Sequence, residues 1–219
     1  MNFPGNIYDG PHTDIVGTTG SGKSSLAKHL YRECPGFGVY INTGAETDVP
    51  GHTVDVAKGD SWNPKLLNDH SRINVIPAGE PEPDAELLDT IQTDLFALGE
   101  NIGHEKGRFY VFVDEAHEYA GLQAAGDNPV VRMAKRGRRH NVRIFPISQA
   151  PADLSKAVVR ECNYHVIFAI GSYSENYFKN YGMPADEITD MVGHKNQHKF
   201  VVYDDFEVFG PFRLPESEA

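Results

Sequence analysis

Residues 17–25 of the chain read Gly-Thr-Thr-Gly-Ser-Gly-Lys-Ser-Ser. The stretch fits the pattern G-x-x-x-x-G-K-[ST] of a phosphate-binding loop, whose fixed places are held here by Gly17, Gly22, Lys23 and Ser24. Glycines let the backbone curl until its N–H groups point at a phosphate, a lysine reaches the β- and γ-phosphates, and a hydroxyl completes a Mg²⁺ shell. The stretch therefore predicts a site for ATP with Mg²⁺.

The flanking sequence supplies the context that such a loop requires. The short run Thr13–Val16 favours a β-strand, and residues 25–31 carry apolar side chains at helical spacing. A helix that starts at the loop points its positive end at the phosphates. We expect every residue of the loop to take part in binding: Gly17, Thr18, Thr19, Gly20, Ser21, Gly22, Lys23, Ser24 and Ser25.

Length and composition indicate a single α/β domain over residues 1–219, with a core at about 13–170 and a C-terminal extension at about 171–212. No run approaches the roughly 18–20 apolar residues of a membrane span, and the N-terminus lacks a signal-peptide layout. The two cysteines, Cys34 and Cys162, lack metal-binding spacing and fit a reducing compartment. We therefore expect a cytoplasmic protein without a membrane span.

Charge is unevenly distributed along the chain. The formal net charge is −11, which argues against general affinity for nucleic acid. A basic stripe nevertheless lies within residues 132–143, and its cations are Arg132, Lys135, Arg136, Arg138, Arg139 and Arg143. Such a stripe suits contacts with nucleic-acid phosphates, or a solvated helix face with ion pairs between subunits. An acidic surface with one cationic patch is also typical of proteins adapted to high salt.

Strand-like and helix-like runs alternate along the chain, and this alternation predicts a mainly parallel sheet with helices on both faces. Predicted strands cover residues 38–43, 72–77, 109–113, 142–147 and 165–170, and residues 200–203 and 206–209 predict a C-terminal β-hairpin. We expect a helix over 85–99 with Asp84 as its N-cap after a loop at 80–84. A second helix is expected over 152–161.

Two acidic residues follow the apolar run Phe109–Val113 directly. A carboxylate at the end of such a strand is where the Mg²⁺ partner of a phosphate-binding loop belongs, so we assign Asp114, with Ser24, to the metal. Glu115 is then placed to polarise the water that attacks the γ-phosphate. The letters Asp-Glu-Ala-His also match a helicase box, but those helicases need two ATPase domains and this length holds one.

The next predicted strand ends at Ile147-Ser148-Gln149. A polar side chain at the tip of a strand beside the Asp-Glu strand can contact the γ-phosphate and sense hydrolysis. We assign this role to Gln149.

These motifs together resemble the HerA–FtsK superfamily of DNA-pumping P-loop ATPases, which have the RecA-like, ASCE type of fold. The resemblance covers residues 13–170, and its most specific part is Ser-Gln-Ala-Pro-Ala-Asp-Leu-Ser at 148–155. It implies a homo-oligomeric ring, usually a hexamer, that threads double-stranded DNA. It also implies an arginine supplied to a neighbour's γ-phosphate, for which we favour Arg136, Arg138 or Arg139. Ala150 departs from the family, which often has arginine there.

We expect the chain to have neither the membrane spans and winged helix of bacterial relatives nor the N-terminal barrel of archaeal ones. In this it resembles the genome-packaging ATPases of tailless icosahedral viruses with an internal membrane, and its acidity suits viruses of salt-loving archaea. The resemblance implies docking to capsid vertex proteins in the host cytoplasm. Three alternatives stay open: a secretion, conjugation or virion-assembly ATPase, a small phosphoryl-transfer kinase, and a non-catalytic nucleotide-binding subunit.

Overall fold

The computed structural model describes residues 7–10, 12–102, 107–171, 175–204 and 206–214. The ends of the expected domain, and residues 172–174 and 205 of the expected C-terminal extension, lie outside these ranges. Within them, no helix is both long and apolar enough to cross a bilayer.

The described residues form a nine-stranded sheet. Its strands are β1 (Thr13–Val16), β2 (Phe37–Ile41), β3 (His52–Asp55), β4 (Arg72–Ile76), β5 (Phe109–Val113), β6 (Val142–Ser148), β7 (Tyr164–Phe168), β8 (Lys199–Tyr203) and β9 (Val208–Arg213). Their order is β3-β4-β2-β5-β6-β1-β7-β8-β9. All neighbours from β3 to β7 pair in parallel, whereas β8 and β9 are antiparallel. The predicted mainly parallel sheet with a C-terminal hairpin is confirmed.

Seven α-helices connect these strands in the described part of the chain. They are α1 (Lys23–Glu33), α2 (Pro81–Ile102), α3 (Ala116–Tyr119), α4 (Pro129–Arg136), α5 (Lys156–Val159), α6 (Glu175–Tyr181) and α7 (Ala185–Val192).

Alternation along the buried strands produces a core on each face of the sheet. In β5, Tyr110 and Phe112 pack with α1 residues such as Leu26 on one face, while Val111 and Val113 join the core on the other face. Helices α2, α4, α5, α6 and α7 contribute to that second core. Both faces are covered, as a mainly parallel sheet requires.

Two predicted helices differ from the structure. Helix α2 begins at Pro81 rather than after a loop at 80–84, because its first turn needs no proline N–H. Asp84 therefore is not its N-cap; its carboxylate accepts from the N–H groups of Ala78 (2.8 Å) and Gly79 (3.1 Å) and fixes the preceding turn. The helix expected over 152–161 is only α5, since Ser155 caps it by accepting from Ala157 N–H.

The strand order brings three functional strand ends together. Strand β6 lies between β5, which ends before Asp114, and β1, which ends before the loop at 17–25. Because these strands are parallel, their carboxyl ends meet at one edge of the sheet, which is where open α/β sheets bind ligands. The fold therefore places the loop, the acidic pair and Gln149 side by side.

Candidate active site

The phosphate-binding loop is anchored to the strands on either side of β1. Gly17 N–H donates to the carbonyl of Ser148 at the end of β6 (3.2 Å), and Thr18 N–H donates to the carbonyl of Ala169 after β7 (2.9 Å). A Cβ at Gly17 would lie 2.6 Å from both the Phe168 Cβ and the Ser21 Oγ, so the first glycine is required for close packing. The loop is thus held on both sides before it turns into α1.

The middle of the loop has the conformation expected of an anion cradle. Gly20 and Gly22 have φ values of 77° and 103°, a left-handed region that favours glycine. The backbone N–H groups of Gly20, Gly22, Lys23 and Ser24 find no acceptor among the described residues. The Ser21 hydroxyl is buried and likewise has no partner in the described part of the chain. These unused donors fit a bound phosphate chain.

Lys23 begins α1 and is only 6% exposed. Its ammonium makes no hydrogen bond or ion pair with any residue that the structure describes. A buried cation without a partner is costly, and an anionic ligand removes that cost. Ser24 follows on the same turn and is half-buried, so its hydroxyl is accessible to a metal ion.

Asp114 is buried at the end of β5, with 6% of its surface exposed. Burial raises the pKa of its carboxyl to about 6, and the neighbouring carboxylates of Glu115 and Glu46 add to the rise. The Glu115 N–H, which donates to Asp114 Oδ1 at 3.1 Å, and the positive charge of Lys23 offset this only in part. A divalent cation would stabilise a buried carboxylate with a raised pKa. Asp114 and Ser24 therefore fit the role of Mg²⁺ ligands.

Replacing Asp114 with asparagine should raise the free energy of unfolding of the nucleotide-free protein at pH 8 by about 3 kcal/mol, because it removes a costly buried charge. A pKa raised from 3.8 to about 6 means that the folded state binds the proton more tightly. The cost of Asp114 is therefore complete above about pH 6 and absent well below pH 4. Urea unfolding of D114N at about pH 8 and about pH 3.5 measures it.

The exposed Glu118 provides the matched control, since Glu118→Gln should leave stability unchanged at both pH values. An equal gain for D114N at both pH values would contradict the assigned cause.

Glu115 lies beside the end of β6 rather than pointing into bulk solvent. Its backbone adopts a left-handed conformation with φ 44°, directly before α3. Its Oε2 accepts from Gln149 N–H at 3.4 Å and lies 3.4 Å from His117 Nδ1. His117 Nδ1 is in turn 3.1 Å from Ser148 Oγ. These contacts position the carboxylate that we predict to polarise water.

Gln149 connects the acidic pair to the loop. Its side-chain oxygen accepts from the Thr19 hydroxyl at 2.5 Å, and its side chain is exposed at the tip of β6. A ligand seated in the loop would meet this side chain. The position therefore suits the predicted sensor role.

The structure places the three predicted arginines away from their own phosphate-binding loop. Arg136 ends α4, and Arg138 and Arg139 lie in the 3-10 turn Gly137–His140 just before β6. Strand β6 spans seven residues, so about 20 Å separate its amino end from the site at its carboxyl end. All three side chains are exposed, and this separation excludes a direct role at the phosphate-binding loop of the same chain.

Two other side chains of the basic stripe make contacts within the chain itself. The Arg132 guanidinium pairs with Asp89 of α2. Arg143 is buried, and it donates to the carbonyls of Gly10 (2.9 Å) and Val142 (3.2 Å). The exposed stripe is therefore narrower than the sequence indicated.

The structure has similarity to solved structures over nearly its whole length. The genome packaging NTPase B204 from Sulfolobus turreted icosahedral virus 2, in complex with AMPPCP, superposes with a TM-score of 0.68 at 16% identity, covering 94% of this chain and 100% of that chain. VirB4 of Thermoanaerobacter pseudethanolicus gives a TM-score of 0.67 at 12% identity, covering 99% and 93%. The chain has a P-loop ATPase fold. This structural similarity confirms the fold that the resemblance of the sequence motifs predicted.

Sequence comparison adds two partial relatives. The ATP-binding protein EcfA2 of an energy-coupling factor transporter from Ligilactobacillus salivarius is 28% identical over 132 residues, or 55% of this chain and 42% of that protein. Protein P9 of Pseudoalteromonas phage PM2 is 27% identical over 93 residues, or 42% and 40%. The matches thus span about two fifths of the length of these relatives. No protein-family profile matches the chain.

Sequence reasoning missed several residues at this site. His117 contacts Glu115 and is itself hydrogen-bonded to Ser148, although the sequence pattern indicated only the Asp-Glu pair and Gln149. His198 and Arg213 help to enclose a cavity of about 550 Å³ beside the loop. Their positions along the chain give no signal, because only the folding of the C-terminal hairpin against β7 brings them there.

Proposed function

We propose that this chain is an ATP-hydrolysing motor subunit that moves double-stranded DNA into a viral capsid. One observation carries the proposal: a phosphate-binding loop, an acidic pair and a polar strand tip meet at adjacent strand ends of a P-loop ATPase fold. The likeness to B204 over the full length of that chain supports a packaging role.

Each residue of the site has a distinct role in ATP hydrolysis. The loop amides and the Lys23 ammonium bind the phosphates and stabilise the negative charge of the transition state. The Ser24 hydroxyl and, through water, the Asp114 carboxylate would hold Mg²⁺, which when bound would supply positive charge that offsets the charge of the phosphates. Glu115 takes up a proton from the attacking water, and Gln149 contacts the γ-phosphate and links its loss to β6.

The chain would act together with other molecules. The exposed Arg136, Arg138 and Arg139 lie too far from their own loop, so a ring homo-oligomer, as a hexamer, would bring one of them to a neighbour's γ-phosphate or to DNA. Contacts with DNA phosphates are independent of sequence, which suits a translocase. We place this activity in the cytoplasm, where the thiols of Cys34 and Cys162 would stay reduced, with capsid vertex proteins as the docking partner.

A second candidate function is a secretion or conjugation ATPase. The likeness to VirB4, which covers 99% of this chain, favours it. The two candidates differ in their cargo rather than in their chemistry.

An ATPase assay with and without linear duplex DNA, paired with a mass measurement of the same sample, tests the proposal. We expect duplex DNA to stimulate hydrolysis by about tenfold or more in an oligomer, because the neighbour's arginine and the DNA contacts depend on the ring. If the sample is an oligomer and its ATPase rate is the same with and without DNA, the secretion candidate is favoured. A monomer whose ATPase rate does not change with DNA would contradict the proposed motor function.

A further inference from the structure

A cavity of about 550 Å³ continues from the phosphate-binding loop toward the C-terminal hairpin. Its volume lies within the range of sites for cofactor-sized ligands. The loop and the first turn of α1 form one wall, and the C-terminal segment forms the other. The C-terminal wall consists of Asn196, Gln197, His198, Arg213 and Leu214. No carboxylate is among these described residues, which suits an anionic ligand.

His198 forms the part of the far wall that lies directly against the loop. It follows the 3-10 turn Lys195–Gln197 and adopts a left-handed conformation with φ 47°. A Cβ at Gly22 would lie 3.5 Å from its Nδ1, so the imidazole packs over the loop itself. Its ring nitrogens make no hydrogen bond with the residues described. The ring is thus presented to the cavity without a partner of its own.

Arg213 and Leu214 complete this wall from the other strand of the hairpin. The antiparallel register pairs Lys199 with Arg213, so the end of β9 lies beside the start of β8. The Arg213 guanidinium is exposed and makes no hydrogen bond or ion pair within the described ranges. Leu214, at 8% exposure, supplies an apolar surface. Two planar side chains and one apolar side chain therefore line the space next to the phosphate-binding loop.

We propose that the purine base and ribose of the bound nucleotide occupy this cavity, with His198 and Arg213 as the residues that hold the base. The proposal rests on the proposed nucleotide binding by the loop. Imidazole and guanidinium groups stack on the flat face of a base, and the side-chain amides of Asn196 and Gln197 can hydrogen-bond its edge. The C-terminal hairpin would then select the nucleotide, while the loop binds any polyphosphate.

Calorimetric titration with two probes separates base recognition from phosphate binding. A non-hydrolysable ATP analogue and inorganic tripolyphosphate, each with Mg²⁺, are titrated into the wild-type chain, His198→Asn and Arg213→Gln. Asparagine removes the ring yet tolerates the left-handed backbone, so His198→Asn should fold. His52→Ala, at an exposed histidine on edge strand β3, is the matched control.

We expect wild type to bind the ATP analogue about tenfold or more tightly than tripolyphosphate. His198→Asn should weaken the analogue by about tenfold and leave tripolyphosphate unchanged, since loss of base stacking costs about this much. Arg213→Gln should weaken the analogue more than tripolyphosphate, and His52→Ala should change neither. Equal wild-type affinities, or an unchanged analogue affinity in both variants, would overturn the base site alone. A failure of both probes to bind wild type would overturn the proposed function and this inference with it.

Discussion

Lys23→Ala is expected to reduce ATP hydrolysis by about 10³-fold, chiefly through lost binding of the triphosphate. Lys23 is part of the phosphate-binding loop, and its side chain is buried. Its ammonium has no hydrogen-bond or ion-pair partner among the described residues. Removing one preorganised charge from such a site costs about 10²–10³ in rate. Steady-state ATPase rates and titration with an ATP analogue measure the effect.

The same substitution should not destabilise the nucleotide-free protein, since it removes an unpaired buried charge rather than a contact. Lys28→Ala is the matched control on the same helix. Lys28 pairs with Glu46 (3.1 Å) and Asp48 (2.7 Å), so its loss should lower stability slightly and leave hydrolysis intact. Near-normal hydrolysis by the Lys23 variant would show that the loop is not the phosphate site.

Glu115→Gln is expected to lower kcat by about 10²–10⁴-fold while ATP binding changes less than threefold. The amide cannot accept a proton from water, but its oxygen can still accept from Gln149 N–H, so the local geometry should persist. Single-turnover hydrolysis and analogue titration separate the two effects.

Glu118→Gln is the control for this second variant, since Glu118 is exposed in α3, the short helix that begins directly after Glu115. It should retain full turnover. Unchanged turnover in the Glu115 variant would contradict the assignment of Glu115 as the residue that polarises water.

The parts of the fold that the sequence predicted are those in which local chemistry and burial agree. The run Phe109–Val113 is apolar throughout because β5 is buried on both faces, and the acidic pair that follows it must then lie at the carboxyl edge. The loop at 17–25 needs left-handed glycines, which its sequence provides. Both signals are contained in short stretches and do not depend on distant residues.

The parts that the sequence did not predict depend on long-range contacts. Strand β3 has two exposed and two buried residues, so neither alternation nor an apolar run marked it. The basic stripe was interpreted from charge alone, yet Arg132 is paired and Arg143 is buried only because α2 and Gly10 pack against them. His198 belongs to the same group, because only hairpin packing brings it to Gly22.

Displacement of a third strand from duplex DNA tests the central claim most directly. A triplex-forming oligonucleotide blocks one end of a linear duplex, and its release is followed by fluorescence as ATP is added. The account predicts rapid release by the wild-type chain with ATP, and none by Glu115→Gln or with a non-hydrolysable analogue. Release that is absent with wild type, or equal with and without hydrolysis, would contradict a DNA-translocating motor.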